Sequence, residues 1–332
     1  MSAANPQIAR ALPTMLAAQL VLLFLACIIA ITGCTTPRQN NAAAAAPTTP
    51  TPAGPGMDVS ADNTLKIVSF NIRYPNRSDG PDYWGSRRHR VVQTLARLDP
   101  DVFGIQEAYD HQAQYLLNEL SGYSMIGVGR DDGDTEGEMT AVLYRTDRFD
   151  LIDHGHVWLS DTPDVPGSVG WDAAITRMAT WLVLHDHETQ HDWLVVNTHF
   201  DHRGSTARTE SAKLLARFIE AKREAIGGDL PAVLMGDFNS AIDSPPYNAL
   251  MGSDGGPRLF DSYLVAAQRA PLEPGSGEGT FNGFRSRTNG ARIDWVLVTP
   301  NVIVEEAGID RVQVDGRNPS DHDPVWAVLR RE

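Results

Sequence analysis

Short apolar runs alternate with amphipathic segments from Thr64 onward, and this alternation limits the fold more than any other feature of the chain. The strand-like runs are residues 65–70, 102–105, 123–128, 140–144, 232–235, 293–298 and 325–329. The segments with apolar residues at helical spacing are residues 86–98, 111–120 and 205–226. Residues 180–184 and 193–196 predict a hairpin that interrupts the alternation. A purely parallel barrel is therefore excluded, and mixed sheets with helices outside are expected.

Both cysteines, Cys27 and Cys34, lie at the start of the chain. The remainder can therefore contain neither a disulfide framework nor a thiolate metal site. With 42% apolar and 21% charged residues the chain has a globular composition. We expect the folded part to be held by its own core, which about 270 residues can form easily.

The formal charge of −14 argues against a protein that holds long nucleic acid on a broad basic face. It does not exclude an enzyme that binds one phosphate tightly through a metal ion.

The first residues have the features of an export signal. Arg10 precedes an apolar run, residues 12–31, and Ile31-Thr32-Gly33-Cys34 resembles the bacterial lipobox. The resemblance implies that residues 1–33 are a signal peptide and that Cys34 is lipidated. The alternative is an uncleaved transmembrane anchor, because the run is just long enough to span a bilayer. Either alternative predicts a membrane-anchored, extracytoplasmic protein, in the periplasm or on the cell surface.

Residues 34–63 are rich in Ala, Thr and Pro, a composition that predicts a semi-extended linker. The folded domain is predicted to cover residues 64–332.

Polar residues follow or precede the predicted strands in six blocks. In chain order these are Asn71, Gln106-Glu107, Asn197-Thr198-His199, Gly236-Asp237-Phe238-Asn239, Arg292-Ile293-Asp294 and Ser320-Asp321-His322. Each block alone is a weak signal, because a single exposed Glu or Asp-His pair is common on protein surfaces. The six blocks in this order are specific.

Taken together, the blocks resemble the endonuclease/exonuclease/phosphatase superfamily, whose members are DNase I-like, over residues 64–330. The resemblance implies a four-layer α/β sandwich in which two mixed β-sheets are flanked by helices. It also implies an active site at one edge of the sandwich, where the ends of the strands converge.

The resemblance implies a role for each residue of the site. Glu107 and Asn71 are expected at a Mg²⁺ or Mn²⁺ ion, and Asp321 could hold a second ion. Asp294 would orient His322, which either takes a proton from the attacking water or binds a phosphate oxygen. Asp237 is expected near the nucleophile or leaving group, and His199 is a candidate general acid.

Five further residues are candidates for contact with substrate: Asn239, Asn197, Arg73, Arg177 and Arg208. Arg73 stands where the abasic-site endonucleases have an Asp. Since an Arg cannot bind a metal but can bind phosphate bidentately, this departure favours one dominant ion. For each Arg the alternative is an ordinary surface residue, and Asp237 and Asn239 could simply cap a turn.

Three predicted loops each allow two interpretations. Residues 74–87 and 153–177 contain Tyr83, Trp84, Trp158 and Trp171, which could stack on a substrate ring or pack beneath the loops. Residues 131–138 carry five acids and could bind Ca²⁺, but without an EF-hand pattern a solvated loop is favoured.

The expected function is that of an extracytoplasmic, metal-dependent phosphoesterase, which hydrolyses phosphodiesters or phosphomonoesters by attack of water on phosphorus. Its substrate could be a nucleotide, a nucleic-acid end, a sugar phosphate or a lipid headgroup. The alternatives are a sphingomyelinase-like phospholipid phosphodiesterase and a catalytically silent binding lipoprotein. No protein partner is evident, and a monomer is expected.

Overall fold

The computed structural model describes residues 63–269 and 277–332, all within one compact unit. In chain order its strands are β1 Leu65–Asn71, β2 Val102–Gln106, β3 Tyr123–Ile126, β4 Val142–Arg145, β5 Phe149–Trp158, β6 Met178–Asp186, β7 His191–His199, β8 Ala232–Asp237, β9 Phe260–Asp261, β10 Asp294–Val298, β11 Val302–Ile309 and β12 Val325–Arg331. The α-helices are α1 Trp84–Leu98, α2 Asp110–Glu119, α3 Ser205–Ile226, α4 Pro245–Leu250 and α5 Ser262–Ala267, and a short 3-10 helix covers Arg77–Asp82.

The strands form two six-stranded mixed sheets. The first has the order β11-β12-β1-β2-β4-β3 and the second the order β5-β6-β7-β8-β10-β9. Each contains one parallel pair, β1 with β2 and β7 with β8, and the other pairs are antiparallel. A parallel pair needs a crossover, which α1 and α3 supply. Because β12 and β10 run antiparallel to β1 and β8, their first residues lie at the edge where β1, β2, β7 and β8 end.

Apolar side chains fill three layers between four layers of backbone. Leu65, Val102, Val195 and Val233 belong to the core between the two sheets. Val91 and Leu95 of α1 pack on the outer face of the first sheet. Residues of α3, among them Leu215 and Ile219, pack on the outer face of the second sheet. The predicted four-layer α/β sandwich is confirmed.

Two long strands are absent from the sequence-based prediction. Residues 153–158 were placed in a loop but belong to β5, and β11 was not predicted. Both are edge strands, and both interrupt their apolar pattern with polar residues, such as His154 in β5 and Glu305 in β11. An edge strand has a neighbour on only one side, so its apolar signal is weaker.

Trp158 ends β5 in a buried position, where its indole nitrogen donates to the carbonyl oxygen of Arg130. Trp84 is also buried, in edge-to-face contact with Tyr115. Both rings are packing residues, so neither is placed to stack on a substrate ring.

The predicted signal peptide, the lipidated Cys34 and nearly all of the linker lie outside the described residues. Within the described ranges, no helix combines the length and the apolarity that crossing a bilayer requires.

Candidate active site

Three functional side chains stand side by side at one edge of the second sheet. His199 ends β7, Asp237 ends β8 and Asp294 begins β10, and the strand register pairs Asp237 with both neighbours. Gly236 makes this close approach possible, since a Cβ there would lie 2.1 Å from the carbonyl oxygen of Thr198. The glycine of the Gly-Asp-x-Asn block is thus required by the backbone.

Asn71 connects this edge to the first sheet. Its amide nitrogen donates to Glu107 Oε1 and to Asp237 Oδ2, both at 3.0 Å. Its amide oxygen accepts from the backbone N–H of Arg73 at 3.0 Å. In this arrangement the amide group of Asn71 connects the two carboxylates.

Three residues that lie one or two positions beyond the strand ends have left-handed backbone conformations. The φ angles are 60° for Arg73, 61° for Glu107 and 47° for Asn239. This conformation costs an Arg or a Glu about 1–2 kcal/mol, and such strain concentrates at functional sites. All three residues line one cavity.

His322 and Asp294 form a buried dyad. Nδ1 of His322 lies 2.9 Å from Asp294 Oδ2, and Nε2 lies 3.7 Å from Asp237 Oδ2. Burial alone would lower the pKa of His322, but Asp294 and Asp237 outweigh it and raise the pKa well above 6.5. The ring is therefore an imidazolium held between two carboxylates.

Asp237 lies at the centre of the site. Its Oδ2 is 3.5 Å from His199 Nε2, and its Oδ1 accepts from the backbone N–H of Asn239 at 2.9 Å. Burial and the charge of Asp294 raise the pKa of Asp237 to about 7. Burial also raises the pKa of Asp321, although neighbouring cations oppose it.

The side chains enclose a cavity of about 640 Å³. Its lining includes eight predicted residues, Arg73, Glu107, Arg177, His199, Asp237, Asn239, Asp321 and His322. Asp294 does not line the cavity; it contacts His322, which does. The structure thus brings most of the predicted residues together in one polar, concave site.

The family model described as Endonuclease/Exonuclease/phosphatase family matches residues 68–322. The chain belongs to this family. It is accordingly a hydrolase of phosphate esters, and the blocks that suggested the resemblance are the ones that meet in the cavity.

Solved structures of family members superimpose on most of the chain. An endonuclease/exonuclease/phosphatase from Bacteroides vulgatus is 36% identical, with a TM-score of 0.73 over 81% of this chain and 99% of that one. A mannosyl-6-phosphatase from Bacteroides thetaiotaomicron is 37% identical, with a TM-score of 0.72 over 80% of this chain and 99% of that one.

Among curated relatives, Protein angel of Drosophila melanogaster is 28% identical over 73% of this chain and 68% of its own length. Carbon catabolite repressor protein 4 homolog 3 of Arabidopsis thaliana is 26% identical over 61% of this chain, which spans only 46% of that protein.

The donor set of the family site fits a divalent cation. Glu107, His199 and Asp237 each offer an atom within 4.8 Å of the others, and Asp237, Asp294 and His322 form a second such group. The raised pKa of Asp237 indicates that the positive charge nearby does not fully balance the buried carboxylates. Carboxylate oxygens are the ligands that Mg²⁺ and Mn²⁺ prefer.

The side chains of His199 and Asn239 contact each other. Burial and the charge of Arg177 lower the pKa of His199 well below 6.5, which favours the neutral imidazole. The amide nitrogen of Asn239 lies 3.0 Å from both His199 Nε2 and the carbonyl oxygen of Phe200. Both amide hydrogens are used, so the side-chain oxygen of Asn239 is the group left to contact a substrate.

Two of the predicted phosphate-binding arginines lie in the cavity wall. Arg73 forms a two-pronged ion pair with Asp79 and lies 3.5 Å from Asp321 and 3.8 Å from Glu107. Arg177 is almost completely buried, and its Nε and Nη1 have no hydrogen-bond partner among the described residues.

Two predicted substrate-contact residues, Asn197 and Arg208, lie outside the cavity, and so does Arg292 of the fifth block. Asn197 is buried between the sheets, so its predicted contact with substrate is wrong. Arg208 lies in a neighbouring groove with Asn239. Arg292 forms a buried ion pair with Asp261 at 2.6 Å.

Several residues that line the cavity were not predicted from the sequence, among them Tyr74, Tyr109, Glu138, His202 and Phe281. Phe281 lies against the ring of His322 at a centroid distance of 5.2 Å and is 45% exposed. Proximity to the six blocks was a signal for Tyr74, Tyr109 and His202. Glu138 and Phe281 follow no predicted strand.

The acidic loop forms a turn rather than a cation site. The Asp132 carboxylate accepts from the backbone N–H groups of Asp134 and Glu136, and Glu138 pairs with Arg130 at 2.6 Å. Among the described residues, neither candidate metal group includes this loop.

Proposed function

We propose that the protein is a Mg²⁺- or Mn²⁺-dependent phosphatase that attacks the phosphomonoester of a small sugar phosphate with water. One observation carries the proposal: the His322–Asp294 dyad, Asp237 and Glu107 meet in a single cavity. A binding protein would need neither the dyad nor the buried carboxylates.

Glu107 and Asp237, with Asp321 as a further candidate, would hold the metal ion. The bound ion would polarise the phosphoryl oxygens and offset the charge that develops on them.

The side chains of the protein supply the other parts of the reaction. Asp294 fixes the tautomer and the orientation of His322 through Nδ1. Nε2 of His322 then donates to a phosphoryl oxygen. Asp237 Oδ2, which Asn71 orients, accepts a proton from the attacking water as the new P–O bond forms. The P–O bond to the sugar breaks, and the departing sugar oxygen takes a proton from solvent. Arg73 and Arg177 contribute positive charge from the wall.

The substrate class is supported by two observations. The mannosyl-6-phosphatase resembles this chain over 99% of its own length. In addition, the acidic chain disfavours long nucleic acid.

The proposal includes an extracytoplasmic protein with a lipid on Cys34, supported by the apolar run before Ile31-Thr32-Gly33-Cys34. Cys34→Ala is expected to abolish metabolic labelling with palmitate and to reduce recovery in the membrane fraction. Unchanged labelling would contradict the lipid anchor.

The activity is tested by phosphate release from mannose 6-phosphate and p-nitrophenyl phosphate. We expect EDTA to abolish turnover and Mg²⁺ or Mn²⁺ to restore it. Asp237→Asn and His322→Gln are each expected to lower kcat by about 10²–10⁴-fold, the usual contribution of a group that handles a proton.

His89→Gln is the matched control, because His89 forms an exposed pair with Asp315 at 3.2 Å and neither residue lines the cavity. It should leave turnover unchanged. Turnover that survives EDTA would refute metal dependence. Faster hydrolysis of sphingomyelin vesicles than of either monoester would select the lipid alternative, and no turnover of any ester would select the silent binding protein.

A further inference from the structure

A second depression of about 480 Å³ lies beside the catalytic cavity, between the start of α3 and the segment after β8. Asn239 lines both, so the depression adjoins the cavity at this residue. We call it the α3 groove. Five hydroxyl side chains line it: Ser205, Thr206, Thr209, Ser240 and Ser244.

The charges in the α3 groove are balanced. Arg208 and Glu210 are its only charged lining residues among those described. Nη1 of Arg208 donates to the carbonyl oxygen of Asp201 at 2.9 Å, and this guanidinium makes no other hydrogen bond with the described residues. Without net positive charge, the groove does not suit the repeated phosphates of a nucleic acid. It suits a neutral group that carries many hydroxyls.

Unused hydrogen-bonding groups mark the boundary between the groove and the cavity. Ser240 is only 7% exposed, and its Oγ has no partner among the described residues. The side-chain oxygen of neighbouring Asn239 receives no hydrogen bond from the described residues. The contacts of this side chain with His199 and with the carbonyl oxygen of Phe200 are both made by its nitrogen. A buried polar group without a partner is costly, so a lone buried hydroxyl points to a bound molecule.

We propose that the α3 groove binds the neutral, polyhydroxylated part of the substrate, a sugar ring or short glycan whose phosphate occupies the catalytic cavity. Arg208 donates to sugar hydroxyls, Glu210 accepts from them, and Thr206 exchanges one further hydrogen bond. The inference rests on the proposed function, because it assigns the leaving group of the same reaction.

The test compares two substrates of different size. One is a mannose disaccharide phosphorylated at the 6 position, and the other is p-nitrophenyl phosphate, which has no sugar hydroxyls. In Arg208→Ala, the ratio of kcat/KM for the disaccharide to kcat/KM for p-nitrophenyl phosphate should fall about tenfold, as expected for the loss of one or two hydrogen bonds.

Two further variants complete the design. Thr206→Val, at an exposed position, should lower the same ratio about threefold even if Arg208→Ala folds poorly. Arg217→Ala is the matched control, because Arg217 is an exposed arginine of the same helix outside the groove lining. It should leave the ratio unchanged.

A binding measurement separates failure of this inference from failure of the proposed function. Saturation-transfer NMR should show the unphosphorylated mannose disaccharide bound to the wild-type chain and weakened in Arg208→Ala, whether or not any ester turns over. An unchanged ratio together with no disaccharide binding would overturn the inference. So would preference for mannose 1,6-bisphosphate over the phosphorylated disaccharide, because the groove would then hold a second phosphate.

Discussion

Replacing Asn197 with alanine should damage the stability of the protein rather than its contact with substrate. The side chain leaves β7 and crosses to the first sheet, where its nitrogen donates to the carbonyl oxygens of Ile105 and Ala141 at 3.0 and 2.9 Å. Its oxygen accepts from Gln106 Nε2 at 2.6 Å. Gly104 leaves the necessary space, since a Cβ there would lie 2.6 Å from Asn197 Cγ.

The expected magnitude follows from these three hydrogen bonds. Each contributes about 1 kcal/mol net, and the fully buried position gives water no access to replace them. Asn197→Ala should therefore lower the free energy of unfolding by about 3 kcal/mol.

Urea denaturation of the wild type and the variant measures this loss, with an unchanged m-value as the sign of two-state behaviour. KM of the remaining folded enzyme should stay near the wild-type value. Asn239→Ala is the comparison, because it lies in the cavity and should alter the kinetics with a smaller loss of stability. A loss below about 1 kcal/mol for Asn197→Ala, with a raised KM, would refute the structural role of Asn197 and support its contact with substrate instead.

Three other perturbations have defined outcomes. Asp261→Asn leaves the buried Arg292 guanidinium without its carboxylate and should cost about 3–5 kcal/mol in urea denaturation, whereas a loss under 1 kcal/mol would contradict the ion pair. Burial lowers the pKa of His156 to about 4, below its ordinary 6.5; the unfolded chain therefore binds a proton first, and stability is lost as pH falls from 6.5 toward 4. His156→Gln should lose less stability between about pH 7 and pH 5, and an unchanged pH dependence would count against this reasoning. Saturating Mg²⁺ should raise the wild-type Tm by about 5 °C or more after EDTA treatment and leave Glu107→Gln almost unaffected, as measured by scanning fluorimetry.

The interior of the fold could be predicted from the sequence because buried strands show their pattern locally. β1, β2 and β8 are buried almost throughout, and their apolar runs predicted them with small errors in the bounds. β5 and β11 lie at sheet edges and carry polar side chains toward solvent, so their alternation was too weak to recognise. Their pairing with β6 and β12 decides that they are strands.

The sequence identified the chemistry of the site more successfully than the direction of its side chains. Glu107, Asp237 and His322 line the cavity as predicted, because residues at the ends of adjacent strands must lie close together. Asn197 ends up in the core although it is only two residues from His199. Alternate residues of a strand point to the same face, so Asn197 and His199 share one face of β7. The first sheet packs against Asn197, and the position of Asn197 in the sequence could not show this.

From the sequence alone came the resemblance to the family, because the six blocks depend only on residue type and chain order. The resemblance implied the two mixed sheets and the set of acids, amides and imidazoles that meet at one edge. Tertiary structure alone decided how the pKa values of those groups shift and which of the groups form hydrogen bonds with other parts of the protein. Asp294 and Asp237 raise the pKa of His322 against the effect of burial, while burial and Arg177 lower the pKa of His199. Protonation and hydrogen bonding depend on distances between residues far apart in the chain, and only packing sets those distances.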